Sequence, residues 1–293
     1  MGLKLQNYNR IINLTLYRIG STPERIICPV RGRKPSIEIT GKFTSATELG
    51  GTQIKVKNLY LNLSGEQYSK IRVEAGYEGN TTFFEGTIAT MYQEAPGPEG
   101  STIIQLQSGN MQSWLDTTVN LSYEPKTMLD TILKVLGAKL KCYGTRTGLN
   151  AAKLYLKERF ESNGSAREAI EKLRSYFKDD NLSIFIRNNI LCAVCIAKGD
   201  YINQYVLDYI SAPPQENAGG EAGTYYTTVN APWSPELRIG DLLTIPAKTY
   251  IRNFNIVNLQ GLKTQNIQVQ SLSFHFSTTG GANSMTVQGF IKR

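Results

Sequence analysis

Period-two alternation of apolar and polar residues, broken at short intervals by glycine, proline or asparagine, is the feature that most constrains this chain. Ile37-Glu38-Ile39-Thr40 alternates, as do Ile54-Lys55-Val56-Lys57 and Ile71-Arg72-Val73-Glu74-Ala75, and Leu59, Leu61 and Leu63 recur at the same spacing. Successive side chains of an extended strand point to opposite faces, so the pattern buries one face and wets the other, as antiparallel sheets do. Gly41, Gly50-Gly51, Ser64-Gly65, Gly76, Gly79-Asn80 and Pro96-Gly97-Pro98 supply the turns. Short strands separated by frequent turns predict a barrel or sandwich as far as about Gly109.

The middle of the chain changes period. Pro125 with Met128, Leu129, Ile132, Leu133 and Leu136 predicts a helix, with proline in its first turn and Gly137 ending it. Ser165-Ala166-Arg167-Glu168 is a capping box, followed by Ala169, Ile170, Leu173, Tyr176 and Phe177 at helical spacing. Both stripes read as core faces. Residues 150–160 fit helix and strand equally. From Leu182 strands return: a hairpin over Leu182–Ile186 and Ile190–Ala197 with its turn at Arg187-Asn188-Asn189, then Tyr205–Ile210. The stretch 211–223, rich in Pro, Gly and Glu, reads as a mobile surface loop. Thr224–Val229, Leu242–Ile245, Phe254–Leu259, Ile267–Phe276 and Met285–Ile291 are strand-like. The expected fold class is β-rich α+β, with two antiparallel β-barrels joined by a small helical or mixed domain. Residues 1–117 make the first barrel, 118–181 the connecting domain and 182–293 the second barrel, which the 211–223 loop interrupts.

At 293 residues the chain has room for about two domains of ordinary size. The formal net charge of +8 raises the question of an anionic partner, and the only basic grouping that stands out is Arg25, Arg31, Arg33 and Lys34 among Cys28, Pro29, Gly32 and Pro35. It reads as a basic loop facing solvent or a neighbouring subunit. No apolar run approaches the ~18–20 residues needed to cross a bilayer, so no stable membrane association is expected. The opening residues lack the apolar core and cleavage site of a signal peptide, so synthesis and assembly in a cytoplasm are expected, and without a secretion signal the match of triplets such as Asn80-Thr81-Thr82 to the glycan acceptor pattern carries no weight.

Candidate chemistry is sparse. His275 is the single histidine, on the strand face opposite Phe274 and Phe276, with no nucleophile motif beside it. Cys192 and Cys195 have the spacing of a redox or zinc pair, but in a strand their thiols diverge, and Cys28 and Cys142 add no second pair. Glu74, Glu78 and Glu85, and Asp179 with Asp180, are the carboxylates a glycosidase would draw on, yet spacing within one strand or turn is poor evidence for a cleft. Gly219-Gly220-Glu221-Ala222-Gly223 lacks the Lys-Ser/Thr of a phosphate loop. No catalytic, cofactor-binding or metal-binding residue is assigned, no cofactor is implied, and no enzyme is expected.

Two stretches resemble the tail-hub family of tailed bacteriophages, itself related to the N-terminal region of type VI secretion spike proteins. The first is Asn58-Leu59-Tyr60-Leu61-Asn62-Leu63-Ser64, followed by Ile71-Arg72-Val73-Glu74-Ala75-Gly76-Tyr77-Glu78-Gly79 and Phe84-Glu85-Gly86-Thr87-Ile88. Gly76 and Gly79 bracket a hairpin turn, Phe84 and Ile88 share a face, and Gly86 allows a bulge or a close approach. The second is Pro232-Trp233-Ser234-Pro235-Glu236-Leu237-Arg238-Ile239-Gly240-Asp241-Leu242-Leu243, with Asp241 capping a turn, and then the strand carrying His275. The resemblance implies tail-tube-like barrels and three copies in a ring. That ring would join the hexameric tail tube or a distal tail protein to a spike or central tip protein, and surround the DNA ejection channel. DNA would be met only in transit, a tape-measure protein is a further partner, and the place of work is the virion's tail tip or baseplate. The chain is shorter than hubs that carry a cell-wall hydrolase domain. Trp233 and Tyr225-Tyr226 are candidate interface anchors, Trp233 being equally suited to a core. The rival expectations are a carbohydrate- or nucleic-acid-binding β-barrel and a cell-wall hydrolase.

Overall fold

Alternation becomes strand along most of the chain. The computed structural model describes residues 10–18, 23–28, 36–44, 52–57, 68–77, 80–94, 100–107, 116–187, 190–207, 209–211, 214–218, 225–246, 248–251, 255–258, 264–278 and 283–292. The first strands are β1 (Arg10–Arg18), β2 (Glu24–Cys28), β3 (Ile37–Thr44), β4 (Thr52–Lys57), β5 (Tyr68–Tyr77), β6 (Asn80–Gln93) and β7 (Ser101–Gln107). A mixed segment follows with β8 (Thr118–Tyr123), helix α1 (Leu129–Lys139), β9 (Gly144–Thr147), a short 3-10 turn (Ala151–Lys153), β10 (Phe160–Ser165), helix α2 (Ala166–Tyr176), β11 (Leu182–Arg187) and β12 (Ile190–Cys195). The rest is strand: β13 (Gln204–Val206), β14 (Tyr209–Ile210), β15 (Gln215–Ala218), β16 (Tyr225–Pro232), β17 (Leu242–Ile245), β18 (Lys248–Ile251), β19 (Asn255–Asn258), β20 (Gln265–Ser277) and β21 (Ser284–Lys292).

Thirteen of these strands share one sheet, ordered β15-β16-β21-β20-β3-β4-β7-β6-β5-β1-β2, with β17 and β13 branching from β20. The branch point has a local cause. β20 pairs with β21 over most of its length on one side, whereas its other side is divided. Gln265 to Gln268 pair with β17, Ser271 to Ser277 pair with β3, and the register slips between Val269 and Ser271. A bulge leaves one residue unpaired and turns the strand, so two strands can share one edge of β20. The N-terminal and C-terminal strands are thereby one sheet, joined at β3–β20. That continuous sheet curls around a single apolar core, and the two-barrel division of it is taken up below as a proposal.

Burial follows the alternation. Ile12, Leu14 and Leu16 of β1, Ile37 and Ile39 of β3, Ile54 and Val56 of β4, Ile71 and Val73 of β5, and Leu272, Phe274 and Phe276 of β20 enter that core. Each such side chain contributes about 1.5–3 kcal/mol on leaving water. A file of aromatic rings ties the two ends of the chain together. Phe43 stacks on Phe274 with centroids 5.3 Å apart, Trp233 lies 5.6 Å from Phe274 and 4.3 Å from Phe276, and Tyr77 meets Phe276 edge-on at 5.6 Å. Trp233 is therefore a core residue, 2% exposed, and not a surface anchor.

The middle segment has its own core of Leu129, Ile132, Leu133, Leu136, Ile170, Leu173, Leu191 and their neighbours. The capping box forms as expected: Ser165 accepts from the Glu168 N–H at 3.2 Å, and Glu168 accepts from the Ser165 N–H at 3.0 Å, an arrangement that stabilises α2 by about 1 kcal/mol. Hairpin β11–β12, assigned from sequence to the second barrel, also packs here: β12 runs parallel to β9, and Leu182, Ile184, Leu191, Ala193 and Cys195 belong to the middle core.

Several local expectations differ from the structure. Gly137 sits inside α1, which continues to Lys139. Its role is close approach, because a Cβ there would lie 2.9 Å from Thr145 Cγ2 of β9. Pro125 lies in the turn before the helix, and Met128 is its N-cap, 39% exposed and outside the core stripe. Residues 151–153 form the 3-10 turn, and the chain then runs irregularly to β10. The 211–223 segment is not wholly loop: Gln215–Ala218 pair antiparallel with β16, since Thr227 and Thr228 supply a free edge beside it. Tyr205–Ile210 splits into β13 and β14, which belong to different sheets. Leu59, Leu61, Leu63 and the basic loop from Arg31 to Lys34 lie outside the described residues.

Candidate functional site

Two kinds of feature could carry function in a molecule of this shape: a place where side-chain chemistry converges, and a place where backbone is left open. Among the described residues no group of three His, Cys, Asp or Glu side chains is placed to hold a metal ion. His275 lies on the polar face of β20, as alternation predicts, and its Nε2 meets Glu38 Oε1 of β3 at 2.7 Å. Glu74 accepts from Asn13 at 2.9 Å and from Thr81 at 3.0 Å, both across neighbouring strands of the sheet. Asp180 pairs with Lys198 at 2.5 Å. Glu78 lies outside the described residues, as do Gly219 to Gly223, and Glu85 is described in its backbone alone. Of the carboxylates that were candidates for hydrolysis, Glu74 and Asp180 are thus engaged separately, one in cross-strand pairs and one in a loop pair.

The two cysteines diverge as strand geometry requires. Cys195 enters the middle core with Leu191 and Ala193, while Cys192 enters a third, small core with Phe185, Val194, Ile202 and Ile239. Burial pushes both thiols up to about 12, and the half-buried Cys142 to about 11. The thiolate is the reactive form, so these side chains are inert at neutral pH. Treatment of the native protein with a thiol reagent at pH 8 should leave Cys192 and Cys195 unlabelled, and the same treatment after unfolding should label both. Peptide mass mapping reads this directly, and rapid labelling of native Cys192 would contradict the burial.

The third core is the joint between the middle segment and the large sheet. The stretch Leu237-Arg238-Ile239-Gly240-Asp241-Leu242 contributes Ile239 to it, against Phe185, Cys192 and Val194 of β11 and β12. Gly240 has φ +79°, where an L side chain is strained, and a Cβ on it would lie 2.2 Å from Phe185 Cζ of β11. The turn is tied to the branch point of β20: the Gly240 N–H donates to the Val269 carbonyl at 2.9 Å and the Val269 N–H to the Asp241 carbonyl at 2.9 Å. Asp241 is fully buried and accepts three hydrogen bonds, from the Arg187 guanidinium at 2.6 Å, the Arg238 N–H at 2.9 Å and the Asn203 N–H at 3.1 Å. Its expected capping of the Gly-Asp turn is the second of these. Burial pushes the Asp241 carboxyl up against the pull of Arg187 and the two backbone donors. Burial, with Arg187 nearby, lowers the Arg238 guanidinium to about 10, and its Cζ lies 5.8 Å from the centre of the Phe43 ring.

A second buried carboxylate, Asp200, accepts from the backbone N–H groups of Asn150, Ala151 and Cys195, and its own carbonyl accepts from Gln268 of β20. Arg146 of β9 adds donors to the Ile202 carbonyl at 3.2 Å and to Asn203 at 3.0 Å. Neither Arg187–Asp241 nor Asp200 was singled out from sequence. The partners stand 54 and 49 residues apart, and no local pattern announces such a pair.

Open backbone is found at both ends of the large sheet's main path and at β13, the end of its branch. β2 and β15 each pair on one side only among the described residues. Tyr225 and Tyr226 open β16, the neighbour of β15, and only their backbone is described.

No protein-family model matches this sequence, and no curated protein does. Solved structures do. A tail protein from Neisseria meningitidis MC58 is similar over 97% of both chains with a TM-score of 0.58 at 9% identity. The 43 kDa tail protein of prophage MuSo2 from Shewanella oneidensis is similar over 97% of both chains with a TM-score of 0.56, also at 9% identity. The E. coli c3393 protein has a TM-score of 0.53 at 8% identity, over 90% of this chain and 76% of that one. It is described as a type VI secretion component with structural similarity to the T4 bacteriophage tail proteins gp27 and gp5. What the chain shares with these proteins is a fold, the one seen in phage tail proteins and in a type VI secretion component related to them.

Proposed function

We propose that this chain is a structural, non-enzymatic subunit of a phage-type tail, a hub in which three copies close into a ring at the tail tip. In this reading residues 1–117 and 182–293 act as two tube-like halves and 118–181 as the connecting domain, except that hairpin β11–β12 packs with the connecting domain. The ring joins the hexameric tail tube to a central spike, contacts a distal tail or tape-measure protein, and encircles the path of the ejected DNA. Assembly takes place in the host cytoplasm and the finished protein resides in the virion. The observation that carries the reading is the continuous sheet with β2 and β15 open at its opposite ends, in a fold that tail proteins share. An unpaired strand edge is a template for another chain, and a head-to-tail pairing of opposite ends closes into a ring when the rotation permits. The polar outer face, with Lys42, Gln53, Lys57 and Thr90 exposed, stays wet in such a ring.

Native mass spectrometry and light scattering test this. A trimer is expected, alone or on adding the cognate tube protein. In β2, antiparallel pairing sends alternate backbone groups to β1, so one of the two variants Ile26→Pro and Ile27→Pro removes an outward-facing N–H and leaves the β1 ladder intact. That variant should remain folded and lose the trimer. A wild-type chain that stays monomeric with tube protein present, or that hydrolyses cell wall, overturns the proposal.

A further inference from the structure

Charge is concentrated in a place the sequence did not advertise. Residues 138–157 carry Lys139, Lys141, Arg146, Lys153 and Lys157 and no acidic residue, so twenty residues supply five of the formal net charge of +8. All five side chains are exposed, and none has an ion-pair partner among the described residues. Two of the carboxylates nearby are already engaged, Asp130 by Lys134 at 2.7 Å and Thr147 at 3.3 Å, and Asp200 in its buried set of donors, while Glu158 stands exposed next to Lys157.

The same stretch contains an open strand. β9 pairs with β12 on one side, and on the other with no strand among the described residues. The Gly148 N–H, next along the chain, donates to Ala193 of β12, so by the alternation of a strand Thr145 and Thr147 turn their N–H and C=O groups to the open edge. A side chain built at Gly144 would meet nothing within 4 Å. Tyr143 and Leu149, which bracket β9, are 77% and 74% exposed, and Tyr155 is 51% exposed. Natural edges are shielded by bulges, prolines, covering loops or charges on the strand itself. This one carries a single charge, Arg146, whose guanidinium is turned to Ile202 and Asn203, and the chain on either side of it supplies large exposed apolar residues and four lysines.

We infer that the β9 edge is a docking site for an extended acidic segment of a partner protein, which adds to the β11–β12–β9 sheet as a fourth strand. Backbone groups of Thr145 and Thr147 supply the register, Tyr143 and Leu149 receive apolar side chains of the added strand, and Lys139, Lys141, Lys153 and Lys157 select carboxylates. Charge complementarity picks the occupant, and the open hydrogen-bonding edge favours a peptide strand over a phosphate backbone, which has no such ladder to offer. The inference goes beyond the ring reading and uses no residue of the β2 and β15 edges.

The test uses the full chain and a synthetic ten-residue peptide alternating valine and glutamate, with both ends blocked. A peptide of the same composition interrupted by two prolines and a twenty-nucleotide oligothymidylate serve as comparisons. Anisotropy should show binding of the alternating peptide alone, weakening as salt rises. Hydrogen exchange should slow at the Thr145 and Thr147 amides. Leu149→Ser and Lys139→Glu/Lys153→Glu should each weaken binding about tenfold, the loss expected of removing one apolar anchor or two steering charges. These positions are exposed, and an unchanged melting temperature confirms that each variant is folded; Tyr143→Ser replaces either one that is not. Binding of the oligothymidylate in place of the peptide overturns the inference, as does peptide binding that ignores these substitutions or leaves the two amides unprotected.

Discussion

Gly240→Ala is expected to lower the melting temperature by about 6–12 °C, a loss of about 3 kcal/mol. Two costs add at this one position. The backbone at φ +79° is strained for any residue with a side chain, and the new Cβ would lie 2.2 Å from Phe185 Cζ. Phe185 cannot step aside, since it is 4% exposed and packed with Cys192, Val194, Ile202 and Ile239. Differential scanning calorimetry of Gly240→Ala, Phe185→Leu and the double variant separates the two costs. The double variant should be more stable than the sum of the singles predicts, because the smaller side chain removes the overlap while the dihedral strain remains. Strict additivity would place the cost elsewhere than in the contact with β11.

Asp241→Ala is the second large effect, expected to cost about 3–5 kcal/mol, because it strands a buried cation and two backbone donors at once. Arg187, 14% exposed in its side chain, loses its partner at 2.6 Å, and the N–H groups of Arg238 and Asn203 lose theirs. Urea unfolding measures the loss. Arg187→Met should cost less than Asp241→Ala. The double variant should recover 1 kcal/mol or so relative to the sum, since it no longer buries an unpaired charge. Asp241→Asn keeps the acceptor for one N–H and forfeits the ion pair, so it should fall between wild type and Asp241→Ala. If all four variants unfold like wild type, the joint between the middle segment and the sheet depends on the apolar contacts alone.

Both predictions concern a joint that sequence reading reached from one side only. Gly240-Asp241 was legible as a turn with a capping aspartate, since glycine followed by aspartate between two strand patterns signals that locally. Phe185 was legible as a strand residue, whereas Arg187 read as the start of the turn and the structure makes it the last residue of β11. That they meet Gly240 and Asp241 was not legible, because contacts over more than fifty residues leave no periodic trace. The divergence of Cys192 and Cys195 lay at the other extreme. It follows from strand alternation alone and needed only the knowledge that β12 is covered on both faces. The Lys139–Lys157 cluster is countable from the sequence but forms no run there, because its cations are spaced through helix, strand and turn.

What the sequence determined by itself is local: period-two strands with one buried face, the capped helix α2 and the absence of a run of apolar residues long enough for a bilayer. These follow from interactions within a few residues, where side-chain direction and turn chemistry act. Tertiary structure alone decided that β20 divides its edge between β3 and β17, that both ends of the chain enter one sheet, and that β11–β12 belongs to the middle core. It also decided that Trp233 is buried and that Gly137 serves a contact instead of a helix end. Each of those outcomes depends on which strand finds which neighbour, and a strand's pattern specifies a buried face without naming what covers it.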